Sequence, residues 1–417
     1  MKNIYLERYA NSKIYLPEKK VSKDLKLIVV IPCHDESNLL ETLTSLDKCD
    51  ADLAIEVITV INASEMAEEV IKEKNTDTYY EAIAWSDANT NSNINYHFIL
   101  ENELPKKHAG VGLARKIGMD EAVRMFESIN NQDGIILCFD ADCSCTSNLL
   151  SEVVKHFKQY TKSPACSIHF EHPLEGSEND EVYEGIIYYE LHLRYYIDAL
   201  KFSNFPYAHQ TIGSSMAVKS WAYQKQGGMN KRKAGEDFYF LHKLMPLGNF
   251  TSLNSAFVIP SPRKSHRVPF GTGRAIGEWL ENKESTYSTY SYHIFQDLKV
   301  FFEQSRNWIR VVEDGLLISE FLDLPNSIQQ FINQDTFVEK MKEINSQSTS
   351  EQAYKKRFFQ WWDGFKVLKY VHFCRDNFYS NINVNVAVDW LMDELQIISQ
   401  QKDAKSKLLL LRKFDRS

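Results

Sequence analysis

The sequence predicts an α/β protein with an open, mixed sheet in its first two thirds and a mainly α-helical region after it. Three observations carry this reading. Between Lys26 and about Pro260, short β-branched runs alternate with amphipathic stretches, the pattern of strands joined by crossover helices. From Gly277 onward glycines thin out, and apolar and aromatic residues recur at three-to-four spacing over 295–302, 309–322 and 358–373. No apolar run approaches the ~18–20 residues of a membrane-spanning helix, and with 43% hydrophobic and 25% charged residues the chain reads as soluble and globular.

The elements follow in order. Residues 1–24 are polar and read as an extension wrapped on the first domain. The runs at 27–31, 55–61, 94–100, 135–139 and 165–170 are predicted strands, and the longest apolar stretch, Leu25 to Pro32, has the length of a core strand. Leu39, Leu40, Leu43 and Leu46 recur at helical spacing, as do Val111, Ala114, Ile117, Ala122, Val123 and Phe126, so the crossovers are helices. The helical half has one polar break, NSQSTSEQ at 345–352, and there is no internal repeat. Its aromatic stretch, RFFQWWDGFKVLKYVHFC at 357–374, reads as a core helix, with a helix lying at a membrane surface as the alternative. The expected division of the 417 residues is 1–24, 25–275 and 276–417.

Lys plus Arg total 48 against 56 Asp plus Glu, a formal charge of -8, which argues against a uniformly basic nucleic-acid-binding face. The N-terminus has scattered charges and no apolar core of a signal peptide, so the expected location is the cytoplasm. Seven cysteines, an odd number, include Cys33, Cys138 and Cys166 inside apolar runs and read as buried thiols. Cys138, Cys143 and Cys145 have no partner pair at zinc-finger spacing.

Five segments carry possible chemistry. In GIILCFDADCSCTSN an apolar strand ends abruptly in Asp140-Ala-Asp142. Ligands of open α/β sheets bind at the carboxyl ends of strands, and two carboxylates one residue apart suit a hard cation such as Mg²⁺ or Mn²⁺. The same residues also read as a solvated turn before a helix capped by Ser144, Thr146 or Ser147. A second segment, KLIVVIPCHDESNLLETLTSLDK, is a strand and turn opening a helix, with Asp35, Glu36 and Ser37 at its start. A third, HAGVGLARKIGMDEAV, opens a helix carrying Arg115. A fourth holds the Gly227-Gly228 turn and begins a helix at Glu236-Asp237. The fifth, PSPRKSHRVPFGTG at 260–273, concentrates Arg263, Lys264, His266 and Arg267 in a loop suited to closing over an anion.

In this order and spacing the segments resemble family 2-like glycosyltransferases of the GT-A fold, over about residues 25–270. The resemblance implies a Rossmann-like mixed sheet binding a nucleotide-diphospho-sugar donor and a divalent metal, Mn²⁺ or Mg²⁺. It implies that Pro32, His34 and Glu36 line the nucleoside pocket, with Asn62 and Arg115 also on the donor side. Asp140 would meet the ribose side and share the metal with Asp142 and His266. Arg263 and Arg267 would neutralise the diphosphate. Asp237 would be the general base of an inverting transfer, with Glu236 positioning it or meeting the acceptor, a hydroxyl of a glycan, a lipid-linked sugar or a small molecule. Asn62 and Ser64 stand where the family carries an Asp that reads the base, and His34-Asp35 replaces its usual Tyr-Asn. No membrane span is expected, though peripheral association is compatible. The rival readings are a sugar nucleotidyltransferase, although PCHDES lacks a Gly-rich phosphate loop, and a non-catalytic nucleotide-sugar-binding protein.

Overall fold

The computed structural model describes residues 2–16, 21–50, 53–89, 93–265, 267, 271–282, 286–398 and 403–417. It divides into two compact units. The first comprises 1–183, 210–278 and 415–417, and the second 184–209 and 279–414. Residues 184–209 therefore count with the helical unit, although sequence pattern places them in the α/β segment.

The first unit is built on an eight-stranded sheet of β1 (Leu27–Cys33), β2 (Ile55–Ser64), β3 (Ile94–Leu104), β4 (Ile135–Cys138), β5 (Ser144–Cys145), β6 (Ala165–Phe170), β7 (Met216–Lys219) and β8 (Thr251–Ile259), in the order β3-β2-β1-β4-β7-β6-β8-β5. β3, β2, β1 and β4 are mutually parallel, β7 runs antiparallel to both β4 and β6, and β6 is parallel to β8. The five runs expected as strands are strands. The short β5 and β7 and the nine-residue β8 complete the mixed sheet that the sequence class implies.

Its helices are α1 (Ile4–Arg8), α2 (Leu39–Asp47), α3 (Glu69–Ala88), α4 (Val111–Ser128), α5 (Leu149–Gln159), α6 (Asp180–Phe202, which continues into the second unit), α7 (Ser220–Lys225), α8 (Glu236–Leu244) and α9 (Thr272–Asn282, which likewise runs on into the second unit). All seven residues of β1 are buried, as expected for a parallel strand covered on both faces. Leu27, Val29 and Ile31 pack with Leu39, Leu43, Leu149 and Val153 on one face. Val30 meets α4 on the other, where a Cβ at Gly118 would lie 2.5 Å from the Val30 Cγ1 and 3.3 Å from the Val60 Cγ2. Pro32 continues β1 beyond its pairing with β4, which ends at Val30↔Cys138, so its missing N–H costs no ladder bond there.

Charged residues of α4 are buried because the N-terminal segment lies over them. Tyr5 and Tyr223 donate hydroxyl bonds to Asp120 at 2.6 and 2.8 Å, and the Asn11 amide donates to Asp120 at 2.7 Å. The amides of Tyr15 and Leu16 reach Glu121 at 3.3 Å. Two buried acids thus gain donors that α4 alone does not supply.

The second unit is helical, with a short antiparallel pair at 288–289 and 382–383. The helices at 292–304, 334–346, 351–361 and 364–377 surround Phe301, Trp308, Phe337, Phe358, Trp362 and Tyr370, all fully buried. The break at 347–350 falls within the expected polar loop, and the 357–374 stretch supplies core residues, which favours the core-helix reading over the membrane-surface one. No described helix is long and apolar enough to cross a membrane.

Gly118→Ala tests the fit of α4 on the sheet. At an open helix position the change would stabilise by about 0.8–1 kcal/mol. Here the added methyl collides with valines of two central strands, and overpacking of about 1–3 kcal/mol outweighs the propensity gain. Urea denaturation should show a lower midpoint. A higher midpoint would mean that α4 stands off the sheet.

Candidate active site

The carboxyl ends of β1, β2 and β4 converge on a cluster of ionised groups. β4 stops at Cys138, and the chain turns so that Asp140 and Asp142 follow its end. Arg115, at the start of the second turn of α4, is 1% exposed and donates to Asp140 Oδ1 at 2.6 Å and to Glu236 Oε1. Glu236 is itself 3% exposed. The approach depends on Gly112, where a Cβ would lie 2.3 Å from the Arg232 carbonyl oxygen, so only glycine lets the 230–232 loop cross α4 and deliver α8 to Arg115.

Asp237 follows Glu236 in the first turn of α8, half-buried, with its Oδ1 accepting from the Phe238 amide at 2.7 Å. Burial and then the neighbouring Glu236 push its carboxyl up to about 7, against the opposing pull of Arg115. Burial also raises Asp140 and Asp142 above the ordinary carboxylate range.

The second cluster lies at the turn after β1. Glu36, 1% exposed, accepts from Arg263 and, at 2.8 Å, from Arg267. Burial alone would raise its pKa, but the arginines and the Asn38 amide bring it below its ordinary value. Arg263 also donates to Asp142 Oδ2 at 3.1 Å, and Arg267 lies 3.6 Å from the same oxygen. Arg267 reaches the His34 carbonyl at 2.9 Å as well. The turn itself is held by β2 and α3. The His34 Nδ1 is 2.7 Å from the Asn62 carbonyl oxygen, and the Asn62 side chain donates to the Cys33 carbonyl at 2.8 Å. Asp35 takes a positive φ of 48°, its amide donating to Asn75 and its carboxylate receiving Lys74 at 2.6 Å.

The residues singled out in the sequence thus gather at one end of the sheet, but several occupy places the sequence does not show. Arg115 is held between two acids. Pro32 and Asn62 are buried, with the Asn62 amide group bonded to the backbone. Arg263 and Arg267 sit on Glu36 and Asp142. His266 lies outside the described residues. Ser144 belongs to β5, and the helix after the acid pair begins at Leu149, behind Asn148, so none of the three expected residues caps it. Among the described residues no group of three or more His, Cys, Asp or Glu side chains is arranged to hold a metal. Sequence reasoning missed Lys74 and Asn75, whose only signal is their place in the N-terminal half of α3.

Arg115→Met should leave Glu236 buried without its cation and cost about 3–5 kcal/mol. Adding Glu236→Gln should restore much of that loss, because an amide in that position carries no uncompensated charge. A double-mutant cycle by urea denaturation measures the coupling, and additive losses would show that the pair is not the link between α4 and α8.

Residues 28–216 match the model of glycosyl transferase family 2. No curated protein matches the chain. Among solved structures it is similar to S. aureus TarS 1–349 in complex with UDP-GlcNAc, at 14% identity over 78% of this chain and 92% of that one with a TM-score of 0.39. TarS 1–349 in complex with UDP follows at 13% identity, 78% and 93% coverage and a TM-score of 0.38. The family match falls on the strands and the acid turn that build the cluster, and it identifies residues 28–216, a little under half of the chain, as a glycosyl transferase family 2 domain.

Proposed function

We propose that the chain transfers a sugar from a nucleoside-diphosphate donor to an acceptor hydroxyl with inversion at the anomeric carbon, and that Asp237 takes the hydroxyl proton. The observation that carries this is the state of the two acids at the start of α8. Glu236 is sealed and bonded to Arg115, whereas Asp237 is half-buried with its carboxyl near 7. A base works best with a pKa near the working pH, so Asp237 suits the proton transfer and Glu236 the positioning of Arg115. Inversion follows if the hydroxyl attacks from the face opposite the departing diphosphate.

On the donor side, the nucleoside lies over the turn at His34 and Glu36, on a floor shaped by Pro32 and Asn62. Arg115 holds Asp140 on the ribose side. Arg263 and Arg267 exchange Glu36 and Asp142 for the diphosphate and neutralise it as it leaves. The donor set also suits a hard divalent ion. Three guanidiniums, of Arg115, Arg263 and Arg267, face five carboxyls, of Glu36, Asp140, Asp142, Glu236 and Asp237. That excess of oxygen donors fits Mn²⁺ or Mg²⁺ held by Asp142 with Asp140 and His266, once the arginines have moved. Such an ion would supply Lewis-acid neutralisation of the leaving diphosphate. Residues 25–275 would carry the transfer, and the helical region would help select the acceptor, whether glycan, lipid-linked or small molecule. A reducing compartment such as the cytoplasm suits cysteines carried as thiols.

Asp237→Asn should lower the transfer rate by about 10²- to 10⁴-fold with donor affinity unchanged. The wild-type rate should rise with pH through about 7 as the carboxyl ionises. Stability should move the other way. The folded carboxyl holds its proton to higher pH than the unfolded one, so wild type loses stability between the ordinary carboxylate range and about 7, and Asp237→Asn should melt higher at pH 8. A variant that transfers at wild-type rate would refute the assignment, and a retained anomeric configuration in the product would refute inversion.

Calorimetric titration with UDP or GDP should show tighter binding with Mn²⁺ than with EDTA in wild type and no such difference in Asp142→Asn. Equal wild-type affinities would remove the metal from the proposal.

A further inference from the structure

Away from the acid cluster, two thiols lie in contact at the far side of the acid turn. Cys145 is on β5 and Cys49 just past the end of α2, with their sulfurs 3.6 Å apart. Cys49 is 6% exposed. Cys145 lines a surface cleft of about 560 Å³ with Thr44, Ser45, Lys48 and Trp85. The two are thus unequal, one thiol facing a cleft and one behind it.

We propose that Cys145 and Cys49 form an oxidisable dithiol, in which Cys145 attacks a small disulfide entering the cleft and Cys49 resolves the adduct. The Cys145 amide donates to the Ser45 Oγ at 3.0 Å, which leaves the Ser45 hydroxyl proton able to point at the Cys145 sulfur 3.7 Å away. The Cys49 S–H can donate to the same sulfur, and Lys48 adds a positive charge to the cleft wall. These are the conditions that favour a thiolate. The Cys49 hydrogen bond, and then that of Ser45, lower the Cys145 thiol, while the Cys145 contact and burial raise Cys49. Geometry and acidity assign the same order of attack.

In the first step the Cys145 thiolate displaces one thiolate from the small disulfide and forms a mixed disulfide. In the second, Cys49 loses its proton and attacks the Cys145 sulfur, releasing the second thiolate. The balance is two protein thiols and one small disulfide giving one protein disulfide and two small thiols, so the small disulfide is the oxidant. In the second step the sulfurs close from 3.6 Å to a bond of about 2.05 Å.

The product ties the end of α2 to the strand that begins two residues after Asp142. That region is already bonded to α2, since the Thr42 hydroxyl donates to the Ala141 and Cys143 carbonyls, both at 2.9 Å.

The test is to treat the native full-length chain with glutathione disulfide, quench with acid, alkylate and map the peptides. The expected result is an intramolecular Cys49–Cys145 disulfide, with Cys33, Cys138, Cys143, Cys166 and Cys374 alkylated only after denaturation. Cys49→Ser should stop at glutathione on Cys145, and Cys145→Ser should not react, each variant first shown to melt cooperatively. No reaction in wild type, a stable mixed disulfide in wild type, a disulfide elsewhere, or glutathione on Cys49 in Cys145→Ser would each overturn the proposal.

Discussion

The arrangement depends on one buried cation. A guanidinium cannot be taken from water without compensation, and Arg115 has it only because Asp140 and Glu236 arrive from two other parts of the chain. α4, the end of β4 and the start of α8 are therefore placed relative to one another by a single side chain. Gly112 lets the 230–232 loop come close enough for this to happen. The same cation also sets the difference between the acids at α8. Glu236 takes the direct contact, and Asp237, next in sequence, keeps the burial and the repulsion with only a residual attraction.

A second ion cluster sits on the β1 turn and obeys a different balance. Glu36 is as deeply buried as Arg115, yet its carboxyl stays below its usual range because two arginines reach it from the 260–267 loop. Those arginines also touch Asp142, so they are bonded to both the turn after β1 and the turn after β4. The turn beneath is held by backbone-directed bonds from Asn62 and Asn75, which keep His34 and Asp35 in a conformation that Asp35 reaches only with a positive φ.

The central strands were legible because burial on both faces demands continuous apolar, β-branched runs, and β1, β2 and β4 have them. β7 is four residues long and β8 alternates exposed and buried positions, so neither stands out from its surroundings. The acid pair was legible because an apolar run ends in it abruptly. The partners of Arg115, Arg263 and Arg267 were not, since Arg263 and Glu36 are separated by 227 positions and nothing local encodes that meeting. The assignment of 184–209 to the helical unit was hidden for another reason. α6 keeps one helical periodicity from Asp180 to Phe202, and periodicity does not say which core a helix serves.

The pairing of carboxyls with guanidiniums in the acid cluster bears on how a ligand arrives. Clefts that capture anions quickly usually carry a net positive field that draws them in from beyond contact range and accelerates encounter. Here the arginines are already neutralised by acids of the protein itself. Cations that are already paired within the protein add less to such a field than free ones. An anion must instead displace a carboxylate already seated on each guanidinium, so exchange of partners, not attraction from a distance, governs how it is held.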